Sequence, residues 1–299
     1  MRARWRRHEG PTWIVVGAVH GAWIALTLSA AALPWWLAAA ALAVVLAWHN
    51  SVQHEAVHGH PTPSERVNAA IASLPLGLWM PFASYRRLHL EHHRCALLTD
   101  PARDTESFYV APARWRALPA PVAALLTFNN CLLGRLTIGP LLAVGRYWFA
   151  EARAATTGDR DRVLREWGPH LVLVAGLLAW LSLVCALPLW LYAMAAYGSL
   201  ALTLIRSFAE HRPAGRQGAR TATVEASLFW RLLFLGNNYH VLHHRRPALP
   251  WYRLIQAYRR QRRDRGEMVF DGYSDLFRRY ILRPKDSPLH PSAAAGGAD

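Results

Sequence analysis

The sequence predicts an all-α integral membrane protein, with four transmembrane helices in two hairpins and a cytoplasmic helical cap holding a histidine-rich di-metal site. Three observations predict it. Apolar residues make up 53% of the chain and charged residues only 18%, and the apolar ones gather into membrane-length blocks. The net charge of +15 is almost wholly arginine, with Lys285 the one lysine, and two connections between blocks contain neither. Nine of the fifteen histidines recur at helical spacing or just beyond an apolar block.

Residues 1–8 form a basic tail. No A-x-A-like cleavage site follows, and a second apolar block comes almost at once, so a membrane span fits better than a signal peptide. Thr12–Ala31 is one membrane-length run, Leu33-Pro34 interrupts it, and Trp35–Trp48 resumes it. Thr12–His49 therefore reads as a helical hairpin turning near Pro34, its second helix carrying His49 and His54 into water. Val67–Phe82 is apolar but short, which predicts a re-entrant or interfacial helix. Pro121–Leu142, interrupted by Asn129, Asn130, Gly134, Arg135 and Gly139, predicts an amphipathic helix lying on the membrane. Arg146–Arg165 is charged. His170–Leu187 and Leu189–Ile205 make a second hairpin around Pro188, and the chain beyond Arg206 is polar and basic. The expectation is one domain over residues 1–299, with a core of about 12–255 and flexible tails at 1–10 and 288–299.

The arginines orient this arrangement. They crowd the N-terminal tail, the middle segment and the last third, so both termini and the middle segment are expected in the cytoplasm of a multi-pass cell-membrane protein. Trp35, Trp36 and Trp190 fall at the opposite ends, as interfacial anchors do. Every histidine cluster then lies on the cytoplasmic face. Cys95, Cys131 and Cys185 form no CxxC pair and no disulfide framework. Nucleic acid is not the expected partner, because the basic residues flank spans and carry no recognition motif.

The histidines carry the chemistry. His89, His92 and His93, and again His240, His243 and His244, stand at i, i+3 and i+4, on one face of a helical turn. His54 and His58 stand at i and i+4, and His211 follows the fourth span much as His54 follows the second. Nine imidazoles are too many for one zinc ion, which four ligands satisfy, but suit two ions with four or five each. An all-nitrogen shell points to iron, copper or zinc. His49 and His60 read as outer or surface neighbours of the first cluster, and His8, His20, His170 and His290 as unrelated to the site.

These boxes, HEAVH at His54–His58, HLEHH at His89–His93 and HVLHH at His240–His244 with His211 between, resemble those of the membrane fatty acid desaturase and hydroxylase superfamily. The resemblance covers roughly residues 40–255. It implies two iron ions held by His54, His58, His89, His92, His93, His211, His240, His243 and His244, with dioxygen as co-substrate for removing hydrogen from an unactivated C–H bond. It matches Asp100-Pro101-Ala102-Arg103-Asp104 to the family's acidic stretch, making Asp100 and Asp104 candidates to hold ligand imidazoles, with Glu210 beside them. Ser207 stands where acyl desaturases carry an asparagine, which leaves Asn237 and Asn238 as candidates to hold a water at the iron. Glu210-His211 is similar to the alkane hydroxylases, whose second box has a longer spacer.

The expected enzyme is an oxidoreductase, a fatty acyl or lipid desaturase drawing two electrons from an external donor, a ferredoxin or a similar acidic protein. A hydroxylase acting on alkanes or carotenoids, or a decarboxylase forming terminal alkenes, is the alternative, since small shifts of the reacting carbon decide the product. Arg245, Arg246, Arg253, Arg259, Arg260, Arg262, Arg263 and Arg265 supply a field for the donor. A non-catalytic metal-binding or transport protein would place ionisable residues inside the spans, and only His20 lies well within one.

Overall fold

A computed structural model of the protein describes residues 9–214, 220–260 and 268–291. The chain runs through α1 (Gly10–Ser29), α2 (Trp35–Val57), α3 (Glu65–Ala72), α4 (Phe82–Arg94), α5 (Pro112–Arg116), α6 (Ala120–Asn129), α7 (Leu132–Thr137) and α8 (Gly139–Thr156). It continues through α9 (Arg160–Ala179), α10 (Leu189–Glu210), β1 (Ala222–Val224), α11 (Leu228–Leu233), α12 (His240–Arg245), α13 (Trp251–Arg260), β2 (Met268–Phe270) and α14 (Tyr273–Tyr280). Two compact units result: residues up to 86 with 140–203, and residues 87–139 with 204 onward.

The first unit holds the long apolar helices, the last of them as far as residue 203. Gly10–Ala32, Trp35–Val57, Arg160–Val184 and Leu189–Glu210 are each long and apolar enough to cross a membrane. Ile14, Leu28, Val172 and Leu183 are exposed on them, as side chains facing lipid should be, because hydrocarbon costs them nothing. Pro34 and Pro188 end the two helical hairpins. Trp35 and Trp190, beside those prolines, have ring centroids 6.1 Å apart, so the two turns share one end of the bundle. The other end of α2 lies about 35 Å away at 1.5 Å per residue, and it carries the first histidine box. The interior is close-packed: a Cβ added at Gly198 would lie 3.1 Å from Ala43 Cβ, so α10 and α2 meet almost backbone to backbone. Polar side chains pin this packing where water is absent. Trp23 Nε1 donates to Tyr192 Oη at 3.0 Å, and that hydroxyl donates to Leu76 O at 2.9 Å.

Several boundaries differ from expectation. The apolar stretch 67–82 is not one helix: α3 stops at Ala72, and Ser73–Pro81 turns through Pro75-Leu76-Gly77-Leu78, with Leu78 at a φ of 68°. Nor is 121–142 one amphipathic helix. It breaks between α6 and α7, where Gly134 sits so close to the preceding helix that a Cβ would come within 1.9 Å of Phe128 O. The helix of the third span starts well before its apolar run, at Arg160 rather than His170. Glu9, placed by sequence in a flexible tail, is 1% exposed and accepts from His60 Nδ1 at 2.7 Å. Residues 1–8, including His8, lie outside the described residues.

The second unit is built of shorter helices and one small sheet. β1 and β2 pair in parallel, Thr223 opposite Val269, and Thr223, Val224, Val269 and Phe270 are residue types that favour strands. α12 has two distinct faces. Tyr239 and Leu242 pack with Leu254 of α13 in a small apolar core, and His240, His243 and His244 occupy the other side. Leu235 and Gly236, at φ of 45° and 69°, turn the chain into this helix. A Cβ at position 236 would meet Trp251 O at 3.0 Å, which excludes larger residues there. Pro288–His290, expected to open a flexible tail, pairs with Val110.

Candidate metal centre

The second unit brings together seven of the nine histidines that the boxes single out. The ligand atoms of His92, His211, His240 and His244 lie within 4.8 Å of one another, and so do those of His89, His93 and His243. The helical spacing does this locally: the last turns of α4 and the single long turn of α12 each present their imidazoles on one side. His54 and His58 lie in the first unit, at the C-terminal end of α2, with ring centroids 4.8 Å apart.

Orientation is set from outside the cluster. His89 Nδ1 donates to Glu106 Oε1 and His92 Nδ1 to Asp104 Oδ1, each at 2.7 Å. His240 Nδ1 donates to Asn237 Oδ1 at 2.9 Å and His211 Nδ1 to Arg220 O at 3.3 Å. With those Nδ1 atoms turned outward onto their acceptors, the Nε2 atoms of the same rings face inward, where they meet the Nε2 atoms of His93, His243 and His244. The Nε2 atoms of His211 and His240 are 3.0 Å apart, those of His240 and His244 3.0 Å, and those of His244 and His92 3.3 Å. In the other set, the Nε2 atoms of His89 and His93, and of His93 and His243, are 3.1 Å apart. Lone pairs aimed at one another repel unless a cation lies among them. A spacing of about 3 Å is also that of neighbouring nitrogens bonded at about 2.1 Å to one ion. The donor set therefore fits two transition-metal ions, and its outward hydrogen bonds follow the usual pattern of metal-bound imidazoles.

Charge agrees with that use. Burial, reinforced by neighbouring imidazoles, holds His93, His211, His240 and His244 below the ordinary imidazole value, so their nitrogens are neutral and ready to bind. His92 is the exception. Burial would lower it, but the Glu106 and Asp104 carboxylates outweigh that and raise it to about 9. Asp104 is held below the usual carboxylate range despite its own burial, through His92 and the amides of Thr99 and Glu106.

The other residues singled out from sequence fall in several places. Asp104 sits against His92. Asp100 accepts from the backbone of Ala102 and Arg103, capping the turn. Glu210 Oε1 is 3.4 Å from His240 Nδ1 and 3.1 Å from Arg206 Nε. Asn237 holds His240, while Asn238 Nδ2 donates to Val224 O at 2.7 Å and fastens the approach to α12 onto β1. His60 pairs with Glu9, His20 and His49 meet edge to face at 5.5 Å, and His170 Nε2 lies 2.9 Å from Leu78 O. Glu106 lies just beyond the acidic stretch matched from the sequence, and it is the group that holds His89. The carbonyl of Arg220 left no signal at all, because any residue supplies one.

Membrane-length helices and paired sets of inward-facing imidazoles define a membrane protein with candidate metal sites. The fatty acid desaturase family matches residues 3–272, and the chain belongs to that family, an oxidoreductase that works in a membrane. It is also similar to a beta-carotene ketolase from a Paracoccus species, 28% identical over 261 residues that cover 81% of this chain and 89% of the ketolase.

Proposed function

We propose that the chain is an oxygen-dependent di-iron oxygenase that converts a ring methylene of a carotenoid into a ketone. The observation that carries this reading is the likeness to a carotenoid ketolase along 89% of that enzyme's length. Ser207 supports it. This residue stands where the acyl desaturases carry an asparagine, and its hydroxyl is turned back onto Leu204 O at 3.3 Å, spent within its own helix. The histidine boxes leave desaturation and oxygenation both open, with desaturation the expectation from sequence; the ketolase likeness moves the reading to oxygenation.

Nine histidines share two iron ions in this reading: His92, His211, His240 and His244; His89, His93 and His243; and, by the pattern of the boxes, His54 and His58. Iron bound there supplies the activation of dioxygen and the removal of hydrogen from an unactivated C–H bond. The protein's own part is to hold geometry. Asp104, Glu106, Asn237 and the Arg220 carbonyl keep the Nδ1 protons in place and so keep the Nε2 atoms inward. The apolar helices keep the enzyme where a carotenoid dissolves. Both termini and the metal centre face the cytoplasm of a cell-membrane protein, as the arginine distribution directs. Electrons arrive from an acidic donor, a ferredoxin or its equivalent, for which Arg245, Arg246, Arg253, Arg259 and Arg260 are exposed. Arg262, Arg263 and Arg265 lie outside the described residues.

The test is pigment and lipid analysis of a bacterial host that accumulates β-carotene and expresses the chain. The expected product is a carotenoid that has gained one oxygen and lost two hydrogens per oxidised ring. Unchanged carotenoids together with new double bonds in the acyl lipids would overturn the reading in favour of a desaturase.

A further inference from the structure

The family match ends at residue 272, yet the chain beyond it is woven into the second unit. Leu133 N donates to Ile281 O at 2.9 Å, Lys285 N to Asn130 O at 2.8 Å, Asn130 Nδ2 to Asp286 O at 2.7 Å, and Val110 N to Pro288 O at 2.8 Å. In the middle of this strap stands Lys285, with a side chain only 1% exposed. Its ammonium donates to the carbonyls of Phe208 and His211, the latter at 2.5 Å. Those carbonyls belong to the last turn of α10 and to the residue just after it.

An α-helix ends in unsatisfied carbonyls and a partial negative charge, which a cation near the last turn stabilises. The last turn of α10 has no basic side chain of its own. Lys285 supplies the cation from another part of the chain. A buried ammonium is costly unless its protons are accepted, and here two carbonyls accept, with Asp286 Oδ2 at 3.8 Å. The choice of residue is itself informative. Lysine and arginine total 34, and this is the one lysine. A compact ammonium can serve converging carbonyls in a tight space, whereas a planar guanidinium needs its acceptors spread along a fork.

We propose that Lys285 is a positioning residue of the metal centre. By holding the His211 carbonyl it stops α10 at Glu210 and sets the backbone from which the His211 ring reaches inward. The ring is then held through Nδ1 on Arg220 O, with Nε2 turned toward His240 Nε2 at 3.0 Å. This inference rests on the reading of His211 as a ligand.

The experiment is an anaerobic Co²⁺ titration of the full-length, metal-depleted protein in detergent, followed by visible absorption. Wild type should bind two equivalents. In Lys285→Met, and less severely in Lys285→Gln, one equivalent should weaken by about 10- to 100-fold and its absorption bands should shift, while the other is unchanged. His211→Ala should lose that same equivalent; if it keeps both at wild-type affinity, the ligand reading fails and the inference falls with it. If His211→Ala loses its equivalent while both lysine variants bind and absorb as wild type, the positioning role alone is overturned. Equal weakening of both equivalents, or failure of both variants to assemble, assigns Lys285 to general folding and also overturns the proposal.

Discussion

Asp104→Asn tests whether the groups behind the imidazoles matter as much as the imidazoles themselves. The Asp104 side chain is 2% exposed. Its Oδ1 accepts from His92 Nδ1 at 2.7 Å and Glu106 N at 3.0 Å, and its Oδ2 accepts from Thr99 N at 2.7 Å. Asparagine keeps the size but has one acceptor oxygen. Either the amide nitrogen faces Thr99 N–H, or it faces His92 and drives the ring toward the other tautomer, its lone pair turned outward. The lost bond is charge-assisted and buried, worth about 1.5–3 kcal/mol, in line with a loss of about 10- to 100-fold in metal affinity. Co²⁺ titration should show one equivalent weakened by that factor, and turnover should fall with it. Affinities within twofold of wild type for both equivalents would refute the reasoning.

Four further outcomes follow from the same geometry. The metal-free protein keeps a proton on His92 up to about pH 9, and binding at its nitrogen must displace that proton. Apparent Co²⁺ affinity should therefore rise close to tenfold per pH unit from about pH 7 toward 9, and a flat profile in wild type would count against the raised value. His243→Ala should abolish product formation, whereas Asp100→Asn should leave metal content and activity near wild type, because an amide oxygen can still cap the turn at Ala102 and Arg103; mass spectrometry of products with metal analysis checks both. Gly134→Ala drives a Cβ into Phe128 O and should destabilise the second unit by about 3 kcal/mol, seen as a lower unfolding temperature in detergent or failure to accumulate.

Legibility from sequence followed distance along the chain. Long apolar runs and the prolines at 34 and 188 announced the spans and hairpins, because membrane length and helix breaking are local properties. His89, His92 and His93 could be placed on one face for the same reason, since i, i+3 and i+4 neighbours meet in any helix. The breaks inside 67–82 and 121–142 escaped because they answer to packing: Gly134 is glycine on account of the Phe128 carbonyl, and an apolar pattern does not record it.

What the sequence determined by itself was therefore the membrane-length helices, the family and the imidazole-rich character of the centre. The tertiary structure alone decided that Asp104 rather than Asp100 holds His92, that the Arg220 carbonyl serves His211, and that a lysine far along the chain meets the carbonyls of Phe208 and His211. Hydrogen bonds between remote segments depend on where folding brings a carbonyl or carboxylate, and no spacing rule in one strand of sequence encodes that.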